Sequence, residues 1–316
     1  MFSSSQKKLI SYFENAVRKD SLRQCYVIKG EEGLGKKTLC RALSRCILCE
    51  NGRGCGECNS CKSLEKGANP DFKLISNGDS KIIEIKKIRD MIKDVYVKPI
   101  GSKYRLFVIE NAHLMDAPAQ NAILKIIEEP PAFAVFILVC DNLNALLPTI
   151  LSRAQVLELE KWSIEDLRQA CPLKKEDEYM YTYCLGSIGM LKKISEDESF
   201  SVLRDGVIKT FIGIFSSGDY SVYDAIDYWQ ANKEQKDSMV DILIMFLRDV
   251  MLYKSSMPQL MANTDKLKEI QTVSDKVSIK KCFDMLKTAN EAPLIFGRYG
   301  NFNMASQTLL MQLKKE

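Results

Sequence analysis

Cys25-Tyr26-Val27-Ile28-Lys29-Gly30-Glu31-Glu32-Gly33-Leu34-Gly35-Lys36-Lys37-Thr38 opens on a short apolar run, turns through three glycines and ends on two lysines. Such a run reads as a buried strand, and the pattern after Gly35 is helical. Strand, glycine turn and helix in that order make an anion site: the turn lets backbone N–H groups converge at the helix N-terminus, and Lys36 adds a point charge. In a loop that holds a nucleotide's magnesium, the residue after that lysine is Ser or Thr. Here it is Lys37, with Thr38 displaced by one position, and a second cation opposes a metal ion.

Further apolar runs follow at Phe72–Ile75, Leu106–Ile109, Ala134–Val139 and Val156–Leu159. Continuous rather than alternating, they suit parallel strands buried on both faces by helices, hence an α/β sheet. Between them, Ala117–Glu129 carries Ile123, Ile126 and Ile127 at helical spacing and stops at Pro130-Pro131. After Leu159 the strand signals cease. Ser163 with Asp166 resembles a helix-start box, and the rest reads as helices. The expected division is a sheet domain over 1–161, a small helical domain over 162–205 ending in Ser195-Glu196-Asp197-Glu198, and a larger helical domain over 206–316.

The third strand ends Glu110-Asn111-Ala112-His113. A hydrolytic site needs acidic residues there to hold magnesium and polarise water. Glu110 can still reach a metal, but Asn111 is an amide and cannot act as a base. His113, the only histidine, reads as a structural hydrogen-bonding residue. Defects in both halves of one site point to lost hydrolysis, leaving Gly30, Gly33, Gly35, Lys36, Lys37, Thr38, Glu110 and Asn111 as a degenerate nucleotide site; whether ATP still binds stays open.

Cys49, Cys55, Cys58 and Cys61 fall within thirteen residues, among Gly52, Gly54 and Gly56. Four thiolates at this spacing can close a tetrahedral structural site, and zinc is the expected metal at a knot of about 46–65. Cys46, one helical turn before Cys49, is a rival for the first ligand. Eleven cysteines without an export signal point to a reducing compartment. The apolar window Met239–Tyr253 is interrupted by Asp241, Arg248 and Asp249, charges harmless on a packed helix and costly in a bilayer, so a soluble, cytoplasmic protein is expected. A net charge of +4 permits nucleic-acid contact without arguing for it.

Together the loop at Gly30–Lys37, the knot at Cys49–Cys61, Val108–His113, the helix Asn121–Pro131 and Leu147-Pro148-Thr149-Ile150-Leu151-Ser152-Arg153-Ala154-Gln155 resemble the bacterial clamp-loader branch of the AAA+ proteins, over roughly residues 20 to 160. Asn301-Phe302-Asn303 followed by Leu309-Leu310-Met311 looks like the family's last collar helix. The resemblance implies an AAA+ P-loop domain, a helical lid and a collar that assembles subunits. It implies a subunit of a DNA polymerase holoenzyme, with motor subunits, a clamp-opening subunit, a sliding clamp and primed DNA, touched through phosphates, as partners. In the family's hydrolysing subunits the loop has Lys-Thr, the second strand Asp-Glu, and a lid helix an arginine after Gly-Ser. This chain has Lys36-Lys37, Glu110-Asn111 and Gly189 in the arginine's place, with Cys140 near a polar sensor position. Arg153 is implied as a finger reaching a neighbour's ATP site, although Ala154 departs from the usual Ser-Arg-Cys.

The expected function is therefore a non-hydrolysing structural subunit, not an enzyme by itself. One alternative is a motor subunit in which Thr38 and Glu110 repair the metal site; the chain's stop at Lys314-Lys315-Glu316 is read against it. Another is a zinc-ribbon nucleic-acid-binding module.

Overall fold

The computed structural model describes residues 1–78, 80–215, 220–298 and 301–314. Of the last three residues, Lys315 and Glu316 lie outside the described residues. The chain divides into two compact units, Met1–Ala170 with Gly186–Gly189, and Cys171–Leu185 with Met190–Glu316.

In the first unit α1 (Ser4–Arg18), closed by a reciprocal Ser3–Gln6 cap, leads into β1 (Cys25–Lys29) and α2 (Lys36–Leu48). After α3 (Asn59–Glu65) come β2 (Phe72–Ile75), α4 (Ile85–Val95), β3 (Arg105–Ile109), α5 (Ala117–Glu128), β4 (Ala134–Cys140), α6 (Pro148–Leu151), β5 (Gln155–Glu158) and α7 (Ile164–Ala170). The five strands form one parallel sheet in the order β2-β3-β4-β1-β5. From β1 the chain crosses to the far edge at β2 and then works back. Parallel crossovers keep one hand, so reversing direction puts the connecting helices on opposite faces. Ile88, Met91, Ile123, Ile127 and Ile150 of α4, α5 and α6 accordingly pack with Val27, Phe107, Phe136 and Leu138. On the other face α1 and α2 pack together, with Phe13 of α1 against Tyr26 at 4.7 Å.

The reversal falls between β1 and β4, the position at whose carboxyl ends α/β sheets generally hold ligands. The strand expectations hold to within a residue or so, but burial on both faces holds only for the middle of the sheet. Edge strands β2 and β5 leave Leu74 49% and Val156 40% exposed. A continuous apolar run cannot distinguish an edge from a centre, because the neighbour it lacks lies elsewhere in the chain. The start box at Ser163 is half formed. Ser163 Oγ accepts the Asp166 N–H at 3.0 Å, while the Asp166 carboxylate accepts from Ser4 N–H and Oγ–H at 3.0 and 2.8 Å.

In the second unit, described by itself, α8 (Met180–Tyr183) and the body of α9 (Ile188–Glu196) precede α10 (Ser199–Ile214), α11 (Tyr220–Ala231), α12 (Lys236–Lys254), α13 (Leu267–Lys276), α14 (Ile279–Asn290), α15 (Ala292–Arg298) and α16 (Phe302–Lys314). Trp229, Leu243, Phe246, Ile270, Cys282 and Leu309 are among its buried residues. No helix among the described residues is long and apolar enough to cross a membrane.

Asp249, read as a harmless charge on α12, is fully buried. It accepts from Ala262 N–H at 3.0 Å, Asn263 N–H at 2.7 Å and Asn263 Nδ2 at 2.7 Å, pinning the turn before α13. Burial raises its pKa, opposed by these hydrogen bonds. Asn263 Oδ1 in turn accepts from Tyr183 Oη and Arg204 Nε, and the Arg204 guanidinium grips Asp265 while lying 3.7 Å over Tyr179. Asp249→Ala leaves at least two buried donors without a partner and should cost about 2–4 kcal/mol. Urea melts should resolve this; a loss under about 0.5 kcal/mol, typical of a surface site, would contradict it.

Candidate functional site

The glycine loop needs its glycines for conformation: Gly35 caps α2 at φ 85°, where a side chain would be strained. This leaves the positive end of α2 with Lys36 and Lys37 in its first turn and no acid beside them. Cations at that end are disfavoured by the helix dipole, by about 0.3–1 kcal/mol each. The chain supplies its own counter-charges. Lys36 Nζ donates to the Gly30 and Glu31 carbonyls, both at 2.6 Å, and lies 2.8 Å from Asp141 Oδ1, directly after β4. Lys37 Nζ lies 3.3 Å from Glu110 Oε2, at the end of β3. Thr38, one position further along a helix that turns about 100° per residue, is exposed.

Asn111 has φ 52°, a left-handed backbone that Asn tolerates better than most residues, and its Nδ2 donates to Asn77 Oδ1 at 3.0 Å. His113 Nδ1 accepts the Asp141 N–H at 3.3 Å. Cys140 is fully buried, which pushes its thiol up to about 11, and its carbonyl accepts from Gly30 N–H. The arrangement thus brings Gly30, Lys36, Lys37, Glu110, His113 and Asp141 to one end of the sheet. Asp141 escaped the sequence reading; its signal was an acid directly after the most strand-like run.

The loop is also held from outside. Leu34 O accepts from Gln6 Nε2 at 2.7 Å and Trp162 Nε1 at 3.2 Å. Gly189 N–H donates to Gly33 O at 2.8 Å, and a Cβ at position 189 would fall 2.8 Å from the Gly33 Cα. With the backbone as it stands, that approach leaves no room for a Cβ at position 189. Arg153 lies just after α6, partly exposed, with Nη2 3.0 Å from Glu128 Oε1 and Nη1 donating to Thr149 O at 3.0 Å.

The thiols of Cys49, Cys55, Cys58 and Cys61 lie within 4.8 Å of one another; Cys46, buried in α2, is not part of the group. The set could hold a metal ion such as zinc, whose bonds of about 2.3 Å to sulfur require such crowding. Cys55, Cys58 and Cys61 N–H groups each donate to the preceding sulfur of the set at 3.4 Å. Burial opposes ionisation of Cys49, but the N–H groups of Cys55, Arg53 and Asn51 outweigh it and bring the thiol down to about 6. Burial holds Cys61 up to about 12, so a metal there must displace a proton. The knot is tied to the sheet: Ser60 Oγ meets Ser102 Oγ at 2.9 Å, Asn69 Nδ2 donates to Ser60 O, and buried Asp71 accepts the N–H groups of Ile100, Gly101 and Ser102.

A family model described as DNA polymerase III, delta subunit, matches residues 5–163, and one described as DNA polymerase III, delta subunit, C terminal, matches residues 201–296. The DNA polymerase III subunit delta' of Bacillus subtilis (strain 168) is 26% identical over 270 residues, covering 83% of this chain and 80% of that protein. The subunit tau of the same strain is 24% identical over 323 residues, covering 91% of this chain and 56% of that protein. Among solved structures, a DNA polymerase III gamma subunit-related protein from Thermotoga maritima is 17% identical, with 97% of this chain and 99% of that chain covered and a TM-score of 0.39.

Because the knot is bonded to the loop that precedes β3, loosening it should loosen the sheet. Cys58→Ser, or chelation of the wild type, should lower the melting midpoint of the first unit by several degrees, on the order of 1–2 kcal/mol. A scan with and without chelator, with metal analysis of the same samples, tests this; a metal-bearing chain whose midpoint ignores the chelator contradicts it.

Proposed function

Since the chain belongs to the DNA polymerase III delta subunit family, we propose that it is the delta prime member of a clamp loader, a structural subunit that does not hydrolyse ATP. It assembles in the cytoplasm with gamma or tau motor subunits and a delta subunit, and helps them place a sliding clamp on primed DNA, which it touches through phosphates if at all. The carrying observation is the Lys37–Glu110 ion pair at 3.3 Å. A magnesium ion between loop and strand needs a hydroxyl from one side and a carboxylate from the other. The ammonium of Lys37 takes the carboxylate and offers no oxygen in return, and Asn111 supplies no base. The divisions after 161 and 205 are kept as those of sheet, lid and collar, and the four thiolates as a structural zinc site.

In this reading Arg153 acts in trans on a neighbouring motor subunit. A guanidinium is permanently charged and planar, able to take phosphate oxygens in pairs. Its bond to Glu128 is no obstacle. Both groups are substantially exposed, and such pairs are worth about 0–1 kcal/mol, so exchange for a phosphate is cheap. In the reconstituted complex Arg153→Ala should leave assembly intact and slow DNA-dependent ATP hydrolysis by the partner, by up to about a thousandfold at that one site. Subunit-resolved turnover measures it. Unchanged hydrolysis removes the finger and leaves the scaffold; steady turnover by this chain alone would overturn the whole reading.

A further inference from the structure

The face of the sheet that carries α1 and α2 is not covered to its edge. Above β2 and β3 a cavity of about 480 Å³ opens between α2 and α3. Its floor is Phe72 and Leu74 of β2 with Val108 of β3, and Leu64 and Glu65 of α3 form one wall. Leu74 is half exposed although it stands in a strand paired along its full length with β3. The other wall is a row of cations on α2: Lys37, Arg41 and Arg45, four residues apart. Their charges are unevenly met. Lys37 has Glu110, and Arg45 has only a loose 3.7 Å approach to Glu65, its Nε buried without a partner. Arg41, in the middle, makes no ion pair or hydrogen bond among the described residues.

We propose that this groove docks an acidic amphipathic helix of a partner polypeptide. A sheet face beside a packed helix is ordinarily closed by a second helix, at 8–10 Å from the first. Carboxylates at i and i+4 on such a helix stand about 6 Å apart, the same pitch as Lys37, Arg41 and Arg45. Its apolar side chains would cover Leu74 and Phe72. A nucleic-acid strand fits worse, because the apolar floor of Phe72, Leu74 and Val108 gives a phosphate backbone nothing to pair with, whereas an amphipathic helix covers it.

The test uses the full chain alone, so it stands apart from the clamp-loader reading. The probe is a fluorescein-labelled, hydrocarbon-stapled helical peptide of roughly 15 residues with leucines on one stripe and glutamates at four-residue intervals beside it. Saturable binding in the micromolar range is expected by anisotropy. Arg41→Glu should weaken it about tenfold or more, and a matched peptide with lysines for the glutamates should recover binding to that variant. Leu74→Asp should abolish binding of the acidic peptide; both substitutions are on exposed side chains, and unchanged melting confirms folding. Absence of saturable binding up to about 1 mM overturns the proposal. So does binding indifferent to both substitutions, or competition by ATP or a DNA oligonucleotide that itself depends on Arg41, which would make the groove a phosphate site.

Discussion

Two lysines at the positive end of one helix are met by carboxylates from neighbouring strands, and these pairs organise the upper edge of the sheet. With no acid in the first turn of α2, the nearest source of negative charge is the carboxyl ends of neighbouring strands. The strand order brings β4 beside β1 and β3 beside β4. Asp141 therefore falls to Lys36 and Glu110 to Lys37. Each pair closes part of the space in which a phosphate or a metal ion would find its counter-charge. An anion at the loop competes with Asp141 for Lys36, and a cation beside Glu110 competes with Lys37.

The same loop is an acceptor hub. Gly30 and Glu31 carbonyls take Lys36, Gly33 takes the Gly189 N–H, and Leu34 takes both Gln6 and Trp162. Segments distant in sequence, from the first helix to residues 186–189, thus hang on a few backbone oxygens. Two glycines make this possible: Gly35 sets the turn, and Gly189 permits an approach to the loop that a Cβ would block.

What could be read in the sequence was what local order encodes. The five apolar runs, the proline stop after α5 and the compact cysteine set all depend on residues a few positions apart, and each is found as an element or a cluster. What could not be read depends on long-range partners. Leu74 and Val156 look like core residues until the sheet order makes their strands edges. Asp249 looks like a surface charge, but its ligands are backbone N–H groups thirteen and fourteen residues away, which carry no signature in side-chain identity. Asp141 is an ordinary acid until β4 is placed next to β1. Asn111 was legible as an amide at the end of a strand, but not as a left-handed residue held by Asn77.

Arg153 and the knot differ in how much of their environment is already satisfied. The knot turns its N–H groups inward onto its own sulfurs and is bonded through Ser60, Asn69 and Asp71 to the strands, so its order is internal to the unit. Arg153 rests against Glu128 and one carbonyl at the surface, with its guanidinium partly in solvent. A charge held this weakly contributes little to the stability of its own chain. The physical advantage of a permanent, planar cation in such a place lies in what it can exchange its partner for. In the role proposed for Arg153, the low-cost pair with Glu128 keeps the side chain oriented until a more strongly charged group, such as a polyphosphate, competes for it.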